Sequence, residues 1–246
     1  MTDAEARSSA SSRTFAFDGA RFVADLGNQL KPADLDPDTY ILRKSERTIE
    51  FYRSLARRKP RRVLELGMFH GGSMVLWDKL FEPETLVGVD ARAKPIEPLE
   101  RYRADRPHVR AYYGRNPDKP GTVMAARESF PDGIDLVIDD ATHRYDATRQ
   151  AFENLFPLLR LGGTYVVEAW SWAHRPAAQR PAHGAWDQPA LTNLIFELTV
   201  LAATNPVIES IQVEEGLFAV RKGPGRLPEA GITSSLVLRG REMSQI

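Results

Sequence analysis

The strand-and-turn segment over residues 63–73 constrains the fold of this chain more than any other feature. An apolar run, VLEL over 63–66, leads directly into GMFHGGS over 67–73, where a helix is predicted to begin. Glycines at such a turn allow the backbone to bend and to approach a ligand closely. The next apolar run ends at Asp90, at about the 20-residue spacing expected for a ribose-binding carboxylate. The sequence therefore predicts a nucleoside-containing cofactor at the carboxyl ends of parallel strands.

The turn is not of the dinucleotide type. A pyrophosphate-binding turn reads G-x-G-x-x-G, whereas this chain has E-x-G-x-x-x-G, formed by Glu65, Gly67 and Gly71. A carboxylate at this place would repel pyrophosphate, but it suits a cofactor with a cationic amino-acid end, such as S-adenosylmethionine. The segment resembles the first motif of class I S-adenosylmethionine-dependent methyltransferases. The resemblance implies that the glycine turn faces the methionine moiety and that Asp90 binds the ribose hydroxyls.

Three further residues stand at related places: Ser73 at the helix start, Asp118 in the turn after the third strand, and Asp139 at the end of the fourth. The predicted cofactor-binding residues are therefore Glu65, Gly67, Gly71, Ser73, Asp90, Asp118 and Asp139.

Alternating strand and helix patterns predict a Rossmann-like α/β fold. The resemblance implies a doubly wound, mostly parallel seven-stranded sheet with a C-terminal antiparallel hairpin. Strands are predicted at 62–67, 85–90, 109–113, 134–138, 164–167, 207–213 and 216–222. Helices are predicted at 40–58, 72–81, 97–104, 121–130, 147–159 and 189–203. Residues 14–38 are predicted to be irregular because of their prolines, and Leu161-Gly162-Gly163 to be a turn that ends a helix.

These elements divide the chain into three parts. Residues 1–38 are expected to be an N-terminal tail and a possible flap, 39–222 the methyltransferase domain, and 223–246 a C-terminal extension. Within the domain, the stretch 169–188 is rich in tryptophan and proline and is too long for an ordinary connection, so it is predicted to be a lid loop over the acceptor.

A second group of polar residues follows the fourth and fifth predicted strands. Asp139, Asp140 and His143 come after the fourth strand, and Glu168 ends the fifth. Neighbouring parallel strands end at one crevice, so these side chains are expected to lie together near the cofactor. Clustered carboxylates either have raised pKa values or surround a cation, and oxygen ligands favour Mg²⁺ or Ca²⁺.

The stretch from residue 135 to 170 resembles a narrower group, the cephalosporin-cluster, macrolide sugar and rhamnosyl O-methyltransferases. The shared pattern includes IDDATH over 138–143, the helix before GG at 162–163, and Glu168. The resemblance implies that Asp140 and Glu168 bind Mg²⁺, that His143 is the general base, and that a sugar hydroxyl of a secondary metabolite, such as an antibiotic, or of a nucleotide-activated precursor is the acceptor. One position departs from the pattern, because Ala169 replaces the second acid of a Glu-Asp pair.

Composition excludes several classes of function. The formal net charge is +0, which argues against nucleic-acid binding. Cysteine is absent, so disulfides and thiolate chemistry are excluded, and no apolar run is long enough to span a membrane. We expect a cytoplasmic enzyme with a small-molecule acceptor, and the resemblance implies a homo-oligomer.

Other functions stay open at this point. A metal-independent methyltransferase acting on a phenolic or other acceptor is compatible with the loss of an acid at Ala169. A catalytically silent cofactor-binding partner is also compatible with it, although Asp140, His143 and Glu168 are all present. A nicotinamide-dependent oxidoreductase fits Asp90 but lacks the G-x-G-x-x-G turn. A nucleic-acid methyltransferase is disfavoured by the net charge.

Overall fold

The computed structural model describes residues 13–182, 186–238 and 241–242. Residues 1–12, the first part of the predicted N-terminal tail and possible flap, lie outside the described residues. So do residues 183–185 of the predicted lid loop, and residues 239–240 and 243–246 of the predicted C-terminal extension.

A seven-stranded sheet forms the centre of the fold. Its strands are β4 (Arg62–Leu66), β5 (Thr85–Asp90), β6 (Val109–Tyr113), β7 (Ile134–Asp139), β8 (Leu159–Glu168), β9 (Ile208–Val213) and β10 (Leu217–Lys222). The spatial order is β6-β5-β4-β7-β8-β10-β9; the first five strands are parallel, and β10 runs antiparallel to both β8 and β9. The predicted fold class is confirmed.

Helices cover both faces of this sheet. They are α1 (Glu46–Ala56), α2 (Gly72–Phe81), α3 (Glu97–Arg103), α4 (Pro120–Ser129), α5 (Tyr145–Leu155) and α6 (Thr192–Thr204). Successive residues of one strand point to opposite faces, so Val63 packs with α1, α2 and α3, whereas Leu64 packs with α4, α5 and α6. Burial on both faces explains why the central strands are continuous apolar runs. None of the helices in the described part of the chain is long and apolar enough to cross a membrane.

The carboxyl ends of the central strands lie level with one another. Leu66 at the end of β4 is in register with Val89 of β5 on one side and with Asp139 of β7 on the other, and Asp139 is in register with Val167 of β8. The strand order reverses beside β4, and this is the place where open α/β sheets bind their ligands.

The prediction for the N-terminal segment was wrong at residues 14–24 and 40–45, whereas residues 25–38 contain no strand or α-helix, as predicted. Instead of an irregular stretch and a helix from residue 40, the chain forms a small sheet of β1 (Arg13–Phe17), β2 (Ala20–Ala24) and β3 (Thr39–Leu42). Asp18 and Gly19 both have positive φ, which produces the tight turn of a β-hairpin. Helix α1 begins only at Glu46, where the Ser45 hydroxyl accepts a hydrogen bond from the Thr48 amide.

The connection between α5 and β8 also differs from the prediction. Helix α5 ends at Leu155, and a 3₁₀ turn over Phe156–Leu158 follows, because Pro157 cannot continue an α-helix. Gly162 does not end a helix but lies inside the long strand β8, with φ +77° at an irregularity in the pairing with β7. The predicted glycine turn is therefore a distortion within a strand.

The segment after β10 contains a 3₁₀ turn, Ile232–Ser235, and the short pair β11 (Val237–Leu238) and β12 (Arg241–Glu242).

Candidate active site

The glycine turn after β4 lies directly against the end of β7. Gly67 has φ +86°, and a β-carbon there would lie 2.5 Å from the carbonyl oxygen of Asp140. Gly71 has φ +81° and precedes α2, where a β-carbon would lie 2.8 Å from Cβ of Leu99. Both positions require glycine for conformation and for space. The turn predicted to hold the cofactor and the strand end predicted to carry the chemistry are therefore adjacent.

Asp90 stands at the end of β5, beside this turn. Its Oδ2 accepts a hydrogen bond from the Met68 amide at 3.0 Å, which couples the carboxylate to the glycine turn. The Arg92 side chain donates to both oxygens, at 3.0 Å from Nε and 2.9 Å from an Nη. Burial raises the pKa of Asp90, but the hydrogen bonds from Arg92 and Met68 outweigh it, so the pKa lies below its usual range. The carboxylate is therefore ionised and engaged by Arg92.

Glu65 lies below the turn, enclosed by α2. Its side chain is 0% exposed and accepts hydrogen bonds from Trp77 Nε1 at 2.9 Å and from the Ser73 hydroxyl at 3.0 Å. Burial raises the pKa of Glu65 to about 8, although Lys44, Trp77 and Ser73 oppose the shift. Ser73 is partly exposed, so it is the side chain that links Glu65 to the crevice.

Asp139, Asp140 and His143 follow one another at the end of β7. Asp139 is buried and accepts from the Tyr165 hydroxyl at 3.0 Å, and burial raises its pKa to about 7. Asp140 is 25% exposed, and its Oδ1 lies 3.7 Å from His143 Nε2. His143 is 35% exposed and adopts φ +53°, a conformation that is strained for a residue other than glycine. Burial lowers the pKa of His143 against the opposing effect of Asp140, so the imidazole is neutral at physiological pH.

A buried lysine that the sequence analysis did not single out lies between the two predicted metal ligands. Lys44 Nζ is 3.0 Å from Asp140 Oδ2 and 2.7 Å from Glu168 Oε1, and the side chain is only 2% exposed. Burial opposes the charged form, but Asp140 and Glu168 raise the pKa of Lys44 above its ordinary value, so it is an ammonium ion. Tyr52 donates a further hydrogen bond to Glu168 Oε1 at 2.7 Å.

Two tryptophans hold the predicted lid loop in place, Trp172 at this centre and Trp170 at the turn between β9 and β10. It contains 3₁₀ turns at Trp170–His174 and Pro176–Gln179. Trp170 Nε1 donates to the Glu214 carbonyl, and Trp172 Nε1 donates to the His143 carbonyl, both at 2.8 Å. Trp172 also lines a pocket together with His174 and Trp186. This pocket is formed by residues within 172–190, and the Trp172 indole connects it to the His143 backbone.

The structure thus brings together most of the predicted site residues. Gly67, Asp139, Asp140, His143 and Glu168 meet at the ends of β4, β7 and β8, as the preceding distances show. Asp118 is different: its carboxylate pairs with Lys119 at 2.7 Å and its carbonyl accepts from Asn154. None of the hydrogen bonds or ion pairs of Asp118 within the described residues reaches another predicted site residue.

Comparison with known proteins finds similar methyltransferases. Residues 64–168 match the family described as "Methyltransferase domain". The chain is 31% identical over 153 residues to a tetracenomycin-C rhamnosyl 3'-O-methyltransferase of Streptomyces olivaceus, with 58% of this chain and 37% of that protein covered. It is also 31% identical over 122 residues to mycinamicin VI 2''-O-methyltransferase of Micromonospora griseorubida, with 47% and 28% covered. The chain spans little more than a third of the length of the first of these relatives.

Two solved structures illustrate the similarity in fold. MycE methyltransferase in complex with Mg, SAH and mycinamycin VI superposes with a TM-score of 0.56 and 26% identity, over 74% of this chain and 51% of MycE. The O-methyltransferase TomG of Streptomyces achromogenes, in complex with SAM, gives 0.55 and 21%, over 78% of this chain and 84% of TomG. The predicted resemblance to S-adenosylmethionine-dependent methyltransferases of the macrolide sugar and rhamnosyl group is confirmed.

Proposed function

We propose that this chain, whose residues 64–168 match a methyltransferase domain, transfers the methyl group of S-adenosylmethionine to a hydroxyl of a small molecule. The proposed acceptor is a sugar or deoxysugar of a natural product such as an antibiotic, or its nucleotide-activated precursor. The names of two similar proteins, a rhamnosyl and a mycinamicin O-methyltransferase, support this acceptor class. Assembly as a homo-oligomer stays a prediction.

One observation carries the proposal. The glycine turn and the proposed acid–base residues share one crevice, since a β-carbon at Gly67 would lie 2.5 Å from the Asp140 carbonyl oxygen. A methyl donor seated at the turn and a hydroxyl seated at His143 would therefore be held side by side. Holding two reactants in this way supplies much of the acceleration in a transfer reaction.

The residues present fit S-adenosylmethionine. Gly67 and Gly71 leave backbone without side chains at the turn, and Asp90 provides an ionised carboxylate beside it for ribose hydroxyls. When bound, S-adenosylmethionine supplies a methyl group on a positively charged sulfur. Glu65 is enclosed, so we propose that it shapes the turn through Ser73 and Trp77.

His143 is the proposed general base. Its pKa is lowered by burial, so the imidazole is unprotonated at neutral pH and can accept a proton. Asp140 Oδ1, 3.7 Å from Nε2, is placed to stabilise the imidazolium that results. His143 would keep the proton taken from the acceptor hydroxyl, and the oxygen so activated would face the methyl group that bound S-adenosylmethionine would supply.

The magnesium site implied by the resemblance does not fit the side chains present. Asp140 Oδ2 and Glu168 Oε1 both accept from the Lys44 ammonium, so the place between them already holds a positive charge. Ala169 contributes no carboxylate where the related pattern has one. Among the described residues, no three His, Cys, Asp or Glu side chains are grouped in a way that could hold a metal ion. We therefore propose the metal-independent form of the reaction.

Calorimetric titration with S-adenosylmethionine, with Mg²⁺ and again with a chelator, tests the cofactor. We expect equal binding in both conditions, followed by methyl transfer to members of a panel of glycosides. If the protein binds no S-adenosylmethionine with Mg²⁺ and none with the chelator, the proposed function is wrong. Binding without turnover on any sugar or phenolic acceptor would favour a silent cofactor-binding protein instead.

The variant His143→Ala tests the base. We expect about a 10²–10⁴-fold fall in kcat with unchanged affinity for S-adenosylmethionine, because a positioned base contributes that much. His108→Ala is the control, since His108 has a similar 36% exposure but pairs with Asp78. Near-full turnover by His143→Ala would show that another group takes the proton.

A further inference from the structure

We propose that the Lys44 ammonium replaces the divalent metal of this type of site and fixes Asp140 as a positioning residue, so that the acceptor is not bound through a metal. Its Nζ is within hydrogen-bond distance of one oxygen of each predicted metal ligand, 3.0 Å from Asp140 and 2.7 Å from Glu168. A divalent ion bound by the same two oxygens would have to occupy the same space.

The fold holds Lys44 in this position from three sides. Strand β3 ends at Leu42 and Ser45 caps α1, so the backbone on both sides of Lys44 is fixed. The Trp77 ring lies 5.5 Å from the ammonium, where it provides a favourable cation–π contact. Tyr52 on α1 donates to the same Glu168 oxygen that Lys44 binds. Arg43, the preceding residue, is exposed, so the chain directs one cation to solvent and the next one inward.

The charge of the Lys44 ammonium also opposes a metal. Two carboxylates, those of Asp140 and Glu168, face one ammonium, and the pair at Glu168 is buried, with side-chain exposures of 2% and 7%. A buried carboxylate needs a paired cation, and Lys44 supplies it. Mg²⁺ would need ligand oxygens at about 2.0–2.1 Å in near-octahedral geometry, and a neighbouring ammonium would repel it.

The replacement changes what the site can do. Lys44 is 2% exposed, so it does not reach an acceptor in the crevice and cannot lower the pKa of a hydroxyl as a bound metal does. It holds Asp140 by Oδ2 and leaves Oδ1 facing His143. Proton removal then depends on His143, and a single hydroxyl suffices where a metal would favour two adjacent ones. This last consequence rests on the proposed function, whereas the exclusion of metal does not.

Binding of Mn²⁺, followed by electron paramagnetic resonance, tests the exclusion without any assay of methyl transfer. The wild-type protein is expected not to bind millimolar Mn²⁺ at this site. Ala169→Asp alone is expected to behave in the same way, because the ammonium remains. Lys44→Ala combined with Ala169→Asp removes the cation and adds the third carboxylate, and it is expected to bind Mn²⁺ at one site per chain.

Controls separate metal exclusion from misfolding. Circular dichroism and binding of S-adenosylmethionine establish that the double variant is folded. Lys79→Ala removes a lysine that pairs with Asp18 away from the site, and this variant is expected to bind no Mn²⁺. Stoichiometric binding of Mn²⁺ by the wild type would overturn the proposal, as would failure of the folded double variant to bind. If the double variant does not fold, the wild-type and Ala169→Asp titrations decide alone. Failure of the proposed function would appear instead in the titration with S-adenosylmethionine.

A kinetic measurement identifies the positioning role. Lys44→Met keeps a long side chain but removes the charge, and it is expected to lower kcat more than tenfold while affinity for S-adenosylmethionine is kept. A chelator is expected to leave wild-type turnover unchanged. Equal kcat for Lys44→Met and wild type would overturn the positioning role.

Discussion

The indole of Trp172 is hydrogen-bonded to the backbone of His143, the proposed base: its Nε1 lies 2.8 Å from the His143 carbonyl oxygen. His143 has φ +53°, which costs a non-glycine residue about 1 kcal/mol or more, so neighbouring contacts must hold it. The bond from Trp172 is such a contact. The loop predicted to cover the acceptor therefore also fixes the backbone of the proposed base.

Replacing Trp172 with Phe keeps most of the ring but removes the hydrogen bond. A net loss of about 0.5–1.5 kcal/mol in positioning corresponds to roughly a two- to twelvefold fall in kcat. Trp170→Phe is a matched control, because Trp170 donates an equally long bond to the Glu214 carbonyl. Steady-state kinetics on both variants checks the prediction, and equal losses would show that Trp172 acts only by packing.

Arg92 occupies Asp90, the carboxylate proposed to bind the ribose of the cofactor. Three Arg92 nitrogens donate to this carboxylate at 2.9–3.0 Å, in the place where ribose hydroxyls are expected. Removing the side chain in Arg92→Ala frees acceptor positions, so we expect several-fold tighter binding of S-adenosylmethionine by calorimetry. Arg101→Ala, which removes an exposed pair with Glu97, is expected to change nothing. Weaker binding by Arg92→Ala would mean that Arg92 contacts the cofactor itself.

The central strands β4, β5 and β7 were predictable because each is a largely apolar run that ends at an aspartate or just before a glycine. The bounds of β5 and β6 agree with the prediction, and β4 and β7 differ by one residue at one end. The convergence of Asp140 and Glu168 followed from the rule that parallel strands end at one edge. Local sequence and this rule together were sufficient for that part of the site.

Lys44 was not predictable in the same way. Its partners are 96 and 124 residues away in the sequence, and a lysine beside an arginine usually indicates an exposed surface. Two local signals were nevertheless present. Asp18-Gly19 is a hairpin turn, and Tyr40-Ile41-Leu42 is a short apolar run before the helix cap Ser45. Together they place Lys44 just after a strand, although not its partners.

Glu65 makes the stability of the protein depend on pH. Its pKa rises from 4.5 in the unfolded chain to about 8 in the folded protein, so between these values the folded state binds more protons. The free energy of unfolding therefore falls as pH rises from about 4.5 to 8, by at most about 5 kcal/mol. Asp139, with a pKa of about 7, acts in the same direction.

The isosteric variant Glu65→Gln does not titrate, so its stability is expected to fall less steeply over this pH range. Denaturant unfolding at several pH values gives the slope of the free energy of unfolding against pH for the wild type and for Glu65→Gln. Glu84→Gln is the control, because Glu84 is exposed on the surface and pairs with Arg61. Parallel slopes for wild type and Glu65→Gln would show that the buried carboxyl does not exchange its proton on folding.

Gly72, at the start of α2, is packed against the N-terminal sheet. A β-carbon at Gly72 would lie 2.2 Å from the carbonyl oxygen of Ile41, in β3. Since that atom belongs to the backbone, Gly72→Ala must displace β3, and we expect a loss of about 1–3 kcal/mol in stability. In an exposed helix interior, a change from glycine to alanine would instead increase the stability of the protein, by at most about 1 kcal/mol.

This displacement has a consequence for the active site, because Lys44 follows Ile41 by three residues. Moving β3 would withdraw the ammonium from Asp140 and Glu168, so Gly72→Ala is expected to lower kcat as well as stability. Faster hydrogen exchange at residues 39–44 would locate the change. Gly216→Ala is the matched control, since a β-carbon there meets nothing within 4 Å. A Gly72→Ala protein that is destabilised yet keeps full turnover would show that the position of β3 does not control the charge between the two carboxylates.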